Sequence, residues 1–307
     1  MADREVPKPT YEEDVRELVN QYKQALKAIE AQMMDLFLSD FDRAQLVVAE
    51  KNIQLIIERL ESGVTAWTEV AMTKAVTEGI AATLYSLYLV KTMEEAYKIV
   101  RFSELNDALV RAAISDTQTD LLNISQNVSR KVRSAIQRGT VQTLRSNLTQ
   151  GINGTQTMKS DLLKAWRKEL GNALDTGLID SIGRVWKPEV YAGTVATSKM
   201  MHAHIEATTN EALENGAQYG IISRHNAVDA CRYHEGRIVK LDPNAPGDYP
   251  TVDELRDSGQ IFHPRCRHVI TPITNLDILS SVHRGFADSQ EQLGKRAMAT
   301  GKRNPQL

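Results

Sequence analysis

The sequence predicts a mainly α-helical protein: a long helical body followed by a small C-terminal α+β module built around cysteine and histidine. Three observations carry this. Apolar residues recur three and four apart through the first two-thirds of the chain, the period that gathers them on one face of a helix. The stretch 64–100 is rich in alanine and apolar on more than one face, as a central, surrounded helix is. From Tyr219 onward that period gives way to short β-branched runs separated by Pro, Gly and Asp, and both cysteines fall there. Such runs read as short strands and turns.

The elements follow in order. Pro7 and Pro9 end a polar lead-in, and Thr10 with Glu13 fits a capping box. Tyr11, Val15, Leu18, Tyr22, Leu26, Ile29, Met33 and Leu36 then form one apolar face, interrupted at Ser39 and Asp40. A second face runs through Leu46, Ala49, Ile53, Ile56 and Leu60, with Gly63 as its expected C-terminal stop. A further long helix is expected from Ser103 to Leu148, bent or split at Gly139. Residues 151–155 break the pattern, and 158–174 read as a short amphipathic helix. Pro188 suits the first turn of a helix that reaches Glu214 and stops at Asn215 and Gly216. Strands are expected at 219–224, 237–241 and 268–273. Thr251 with Glu254 is a second capping box, opening a short helix that Gly259 ends. The organisation that results is a helical body at 1–150, a region at 151–276 holding the α+β module at 217–276, and a polar, basic tail at 277–307, read as a loose helix or a flexible segment.

Bulk properties bound the function. A chain of 307 residues can bury a sizeable core, as one large or two modest domains. The formal net charge of -2 argues against strong overall attraction to nucleic acid. Only two cysteines are present, far too few for a secreted disulfide scaffold, so a reducing compartment is expected. The N-terminus lacks a basic-then-apolar export pattern. The longest mostly apolar run, 79–90, is too short to span a bilayer, and no membrane contact is expected.

The chemistry concentrates in one constellation. Cys231 and His234 form a C-x2-H pair, His263 and Cys266 an H-x2-C pair, and 28 residues separate them. Two-residue spacing lets both members of a pair reach one ion from a tight turn, and a second pair completes a tetrahedron. Zinc accepts thiolate and imidazole together without a geometric preference of its own. The pattern therefore points to one structural zinc held by Cys231, His234, His263 and Cys266. A metal-free clasp, in which the same residues are held by hydrogen bonds, stays open beside it, as does a disulfide. A catalytic zinc is disfavoured: neither H-E-x-x-H nor H-x-E with C-x-x-C occurs.

These segments also carry a family resemblance. Asp229, Cys231, Gly236, His263, Pro264, Cys266 and Arg267 match, in order and spacing, the C-terminal motif of phage Mu F-like minor head proteins, which runs Asp, C-x-x-C, Gly, then H-P-x-C-R-C. Histidine stands in place of cysteine at His234 and His268, so His268 is an alternative fourth ligand. The resemblance covers about residues 150–275, including the helical lead-in from Pro188. It implies a non-enzymatic minor capsid protein of a tailed phage. Its partner would be the portal protein and its role head morphogenesis and DNA packaging or delivery. Its location would be the virion, and the host cytoplasm during assembly.

Two other functions remain to be weighed. Lys131, Arg138 and Arg145, seven apart, line one helical face near Arg130 and Arg133. With the basic tail they could bind double-stranded DNA weakly through its phosphates, although such stripes are more often solvated or paired faces. A metal-dependent hydrolase is the third reading. No Walker loop, dinucleotide fingerprint or G-x-S-x-G elbow accompanies these features.

Overall fold

The structure, a computed structural model, describes residues 6–38, 43–149, 161, 164–165, 168–169, 178–179 and 183–307. It is mainly helical, with a small C-terminal sheet region that holds the Cys/His residues. The chain forms two compact units: Glu12–Glu69 with Asp116–Ala196, and Met1–Tyr11 with Val70–Ser115 and Thr197–Leu307. Among the described residues no helix is long and apolar enough to cross a membrane.

The first unit is built on helices α1 (Glu12–Leu38), the N-terminal part of α2 (Arg43–Ser86) and the C-terminal part of α4 (Glu104–Thr149). Three acidic residues, Glu12, Glu13 and Asp14, occupy the first turn of α1, where the helix dipole favours negative charge. Ile29, Ala49, Ile53, Ile57, Val128, Val132 and Ile136 pack into one core. Ala49, Ile53 and Ile57, and likewise Val128, Val132 and Ile136, recur every four residues, a helical spacing. Tyr22 is fully buried and donates its hydroxyl to the carbonyl of Leu121 at 2.7 Å, satisfying a polar tip in an apolar setting. Trp67 likewise donates to the carbonyl of Asp14. A two-residue ribbon, β1 (Leu178–Ile179) with β2 (Val185–Trp186), pairs antiparallel in the same unit.

Gly63 was expected to end a helix and does not: α2 runs through it. A Cβ there would lie 2.6 Å from Oε1 of Gln21, so the glycine makes room for a neighbouring helix. The apolar face continues through buried Val64, Trp67 and Ala71, and tertiary burial outweighs the roughly 1 kcal/mol propensity cost of an interior glycine. α4 is likewise continuous through Gly139. The helix expected up to Val100 instead stops at Ser86; Tyr88 adopts φ +62, and Thr92 caps a separate α3 (Met93–Ile99) by accepting from the Glu95 amide. The amphipathic segment at 158–174 lies largely outside the described residues.

The second unit carries the sheet. α5 (Pro188–Glu214) leads into it and β3 (Tyr219–Ile222) is its centre, flanked by β4 (Ile238–Lys240) and β5 (Ile270–Ile273), both antiparallel. Ile221 pairs with Ile238 on one side and Thr271 on the other. The expected capping box at Thr251 and Glu254 is present in both directions, and opens α6 (Val252–Asp257). Residues 277–307, expected as a loose or flexible tail, contain α7 (Ser281–Ala299), whose Ala287, Glu291, Gly294 and Ala297 are buried. The four- and three-residue steps between them are the inner face of a helix, too small and polar to register as an apolar stripe.

Candidate metal centre

Two short segments bring the cysteines together. Asp229 accepts the Cys231 amide and so caps a 3-10 turn at Ala230–Tyr233, the local competition by which Asp starts turns. Gly236 leaves the turn at φ +75 and donates its amide to Ile222 at the end of β3. The second segment is tighter. Cys266 donates its amide to the His263 carbonyl at 2.9 Å. Phe262 and Arg265 flank His263 closely and adopt φ +55 and +68, a left-handed conformation that costs a non-glycine residue about 1 kcal/mol or more. That strain is tolerated where the surrounding arrangement fixes the turn.

The side chains converge from these turns. Cys231 Sγ lies 3.8 Å from Cys266 Sγ and 3.2 Å from Nε2 of His263. Cys266 Sγ lies 3.2 Å from Nδ1 of His268. Cys231, Cys266 and His268 are all buried and their ligand atoms lie within 4.8 Å of one another; Asp229, Cys231 and His263 form a second such group. Both cysteines are free thiols.

Hydrogen bonding shows which ring nitrogens face the sulfurs. His268 Nε2 meets Oε1 of Glu235 at 3.1 Å. A carboxylate only accepts, so Nε2 is a donor, and Nδ1 is the nitrogen turned toward Cys266. His263 Nδ1 lies 3.0 Å from the Pro264 carbonyl. Its Nε2 faces Cys231 and, at 3.3 Å, Oδ2 of Asp229, which also only accepts, so Nε2 must be free of a proton to ligate an ion. Sulfur and imidazole donors thus form two three-residue groups that share Cys231, a donor set of the kind that a cation satisfies. Tetrahedral zinc with Zn–S bonds of about 2.3 Å sets its two sulfurs about 3.8 Å apart, so the donor set fits a thiophilic divalent ion. Glu235 completes a carboxylate–histidine arrangement of the kind that orients metal ligands. It is itself held by the amides of His225 and Ala227 at 2.7 and 3.1 Å.

Protonation follows the same contacts. Its contact with Cys231, reinforced by His268, holds the Cys266 thiol down to about 4. The same contact and burial push the Cys231 thiol up. Burial works against charge on His268, but Cys266 and Glu235 together raise its pKa. These contacts favour ionisation of Cys266 over Cys231, and an ion bound here would displace the remaining thiol proton.

Of the four ligands expected first, Cys231 lies close to both His263 and Cys266, and the alternative His268 lies close to Cys266. His234 stands outside. It is fully buried, accepts at Nδ1 from Arg237 at 2.8 Å, and donates from Nε2 to Gln260 at 2.9 Å. It is the C-cap of the 3-10 turn, and both its ring nitrogens are engaged by Arg237 and Gln260 rather than by the sulfurs. Glu235 was not singled out from the sequence, where nothing in its spacing marks it. The DNA candidates lie elsewhere: Lys131 is half-buried, Arg138 pairs with Glu169 at 3.4 Å, and the Arg145 side chain lies outside the described residues.

Comparison with curated proteins and with solved structures gives no match. The family model described as phage minor capsid protein 2 matches residues 42–281, which take in most of the helical body and the whole Cys/His cluster. That span exceeds half of the chain, and the protein accordingly belongs to the phage minor capsid protein 2 family.

Proposed function

We propose that this minor capsid protein acts by binding rather than catalysis, at the portal vertex of a tailed-phage head, in head morphogenesis and DNA packaging or delivery. We further propose that one zinc ion, held by Cys231, His263, Cys266 and His268, staples its C-terminal module. The observation that carries the reading is the cluster itself: the residues that resemble the Mu F-like minor head motif are the ones whose sulfur and nitrogen atoms converge, inside the span matched by the capsid family. The resemblance supplies the portal as partner, and the family supplies the particle. A structural role suits the cluster because four protein donors leave no open position for substrate.

The test is coexpression of the full chain with the portal protein of the same phage, followed by size-exclusion chromatography and metal analysis. Co-elution with about one zinc per chain is expected for a single four-ligand site. Failure to co-elute overturns the portal assignment, and metal-free protein overturns the staple. Nucleic-acid binding is tested in the same preparation by a DNA shift at low salt. Arg138 already faces Glu169, so part of that stripe's charge is balanced within the protein.

A further inference from the structure

The two segments that carry the metal ligands are also the two that α7 straps. On the first segment, Ala230 and Tyr233, beside the ligand Cys231, pack against Ala297 of α7. The Tyr233 hydroxyl accepts the Leu307 amide at 3.2 Å. Arg237, almost wholly buried, makes a two-pronged ion pair to Glu291 of α7 at 2.9 and 3.0 Å and also donates to His234. On the second segment, Gln260, three residues before the ligand His263, donates its amide to the carbonyls of Ala297 and Lys302 at 2.9 and 2.7 Å. Its Oε1 accepts from His234. An unbroken buried relay therefore runs Glu291, Arg237, His234, Gln260 and back to the end of α7. Met298 of α7 packs on the core cluster that contains both cysteines.

We infer that metal binding at the clasp and docking of α7 are positively coupled, each closing the same pair of segments for the other. The inference rests on the metal reading above. Cys231 and His263 are 32 residues apart, and bringing them together costs the entropy of closing that loop. α7 closes the loop from outside by gripping Tyr233 and Arg237 on one segment and Gln260 on the other. The ion closes it from inside. Whichever binds second finds the loop already closed, so its binding is strengthened by that saving. Linkage makes the effect reciprocal: the factor by which zinc tightens α7 equals the factor by which docked α7 tightens zinc. The device makes α7 a strap that the clasp locks and that loss of the ion loosens.

Two measurements on the full chain test it. Hydrogen exchange of the α7 amides is compared in zinc-loaded and chelator-treated protein, and zinc affinity is measured by chelator competition for wild type and Gly294→Ala. A Cβ at Gly294 would lie 2.2 Å from an Arg237 guanidinium nitrogen, so that substitution pries α7 from the relay. Gln292→Ala, at an exposed position of α7, is the control. Expected are about tenfold faster α7 exchange without zinc and about tenfold weaker zinc binding in Gly294→Ala, a typical coupling size, with the control unchanged. If zinc binds but α7 exchange and Gly294→Ala affinity are those of the loaded wild type, the coupling is overturned and the metal site stands. If no zinc binds, both fall. Should Gly294→Ala fail to fold, the exchange comparison on wild type decides alone.

Discussion

Glu235 and His268 meet at 3.1 Å, carboxylate oxygen to Nε2, with both side chains almost wholly removed from solvent. The contact leaves the opposite nitrogen of the ring turned toward Cys266, whereas the ring nitrogens of His234 are bonded to Arg237 and Gln260. A carboxylate in that position raises ligand basicity and fixes ring orientation.

This relationship separates two ligand sets that spacing alone leaves equivalent. His268→Ala is expected to abolish stoichiometric zinc, and Glu235→Gln to weaken zinc affinity by about 10–100-fold while keeping the stoichiometry. His234→Ala leaves Arg237 and Gln260 short of a partner in a buried setting. It should lower stability by about 1–3 kcal/mol yet still take up one zinc per chain at saturating metal. Zinc analysis after gel filtration decides. Loss of zinc in His234→Ala with retention in His268→Ala would restore the C-x2-H pairing and refute the arrangement described above.

The glycines give a second prediction, opposite in sign at two helical sites. A Cβ on Gly79 in α2 would sit 2.4 Å from the backbone oxygen of His204 and 3.0 Å from Cβ of Ala207 in α5. Backbone cannot give way as a side chain can. Gly79→Ala is therefore expected to lower stability by about 1–3 kcal/mol, despite the better helix propensity of alanine. A Cβ on Gly285 in α7 would meet nothing within 4 Å, so Gly285→Ala should raise stability by roughly 0.5–1 kcal/mol. Urea denaturation of the two variants against wild type measures both, and the same sign for the two would contradict the packing.

How much of this was legible in the sequence depends on the scale of the signal. The long helices were, because Tyr22, Ile29, Ile53 and Ile57 repeat at helical spacing and tertiary packing uses that spacing. The stop assigned to Gly63 was misplaced, because a glycine that admits a neighbouring side chain looks the same in one dimension as one that ends a helix. α7 was read only as a loose helix or a flexible segment because its buried face is Ala287, Glu291, Gly294 and Ala297, and the merit of Glu291 lies in Arg237, 54 positions away. For the cluster, paired spacing named Cys231, His263 and Cys266, whose side chains lie close together. That His268 rather than His234 stands beside a sulfur was not readable. Glu235 faces His268 only after β3, β4 and β5 have aligned the two segments.

Buried histidine supplies the last prediction, a pH dependence. His204 on α5 is 2% exposed, and its Nδ1 lies 3.0 Å from the Tyr11 hydroxyl. Burial pushes its pKa from the ordinary 6.5 down to about 4, because a charged imidazole cannot be solvated there. His234 is pushed down to about 4 as well, chiefly by burial. For both, the folded value lies below the unfolded one. As pH falls from 6.5 toward 4, the unfolded chain takes up protons that the folded chain refuses, so stability falls through that window and levels off below it. Above about pH 7 neither group contributes. The loss attributable to His204 is on the order of 3 kcal/mol at most, an upper figure because relaxation and water entry soften burial. His204→Asn, which cannot charge, should be less stable than wild type at pH 7.5 if the Tyr11 contact matters, yet lose less stability between pH 6.5 and 4.5. Urea midpoints measured across that range give the comparison. Parallel curves for wild type and His204→Asn would show that His204 already takes up its proton in the folded state, contrary to its burial.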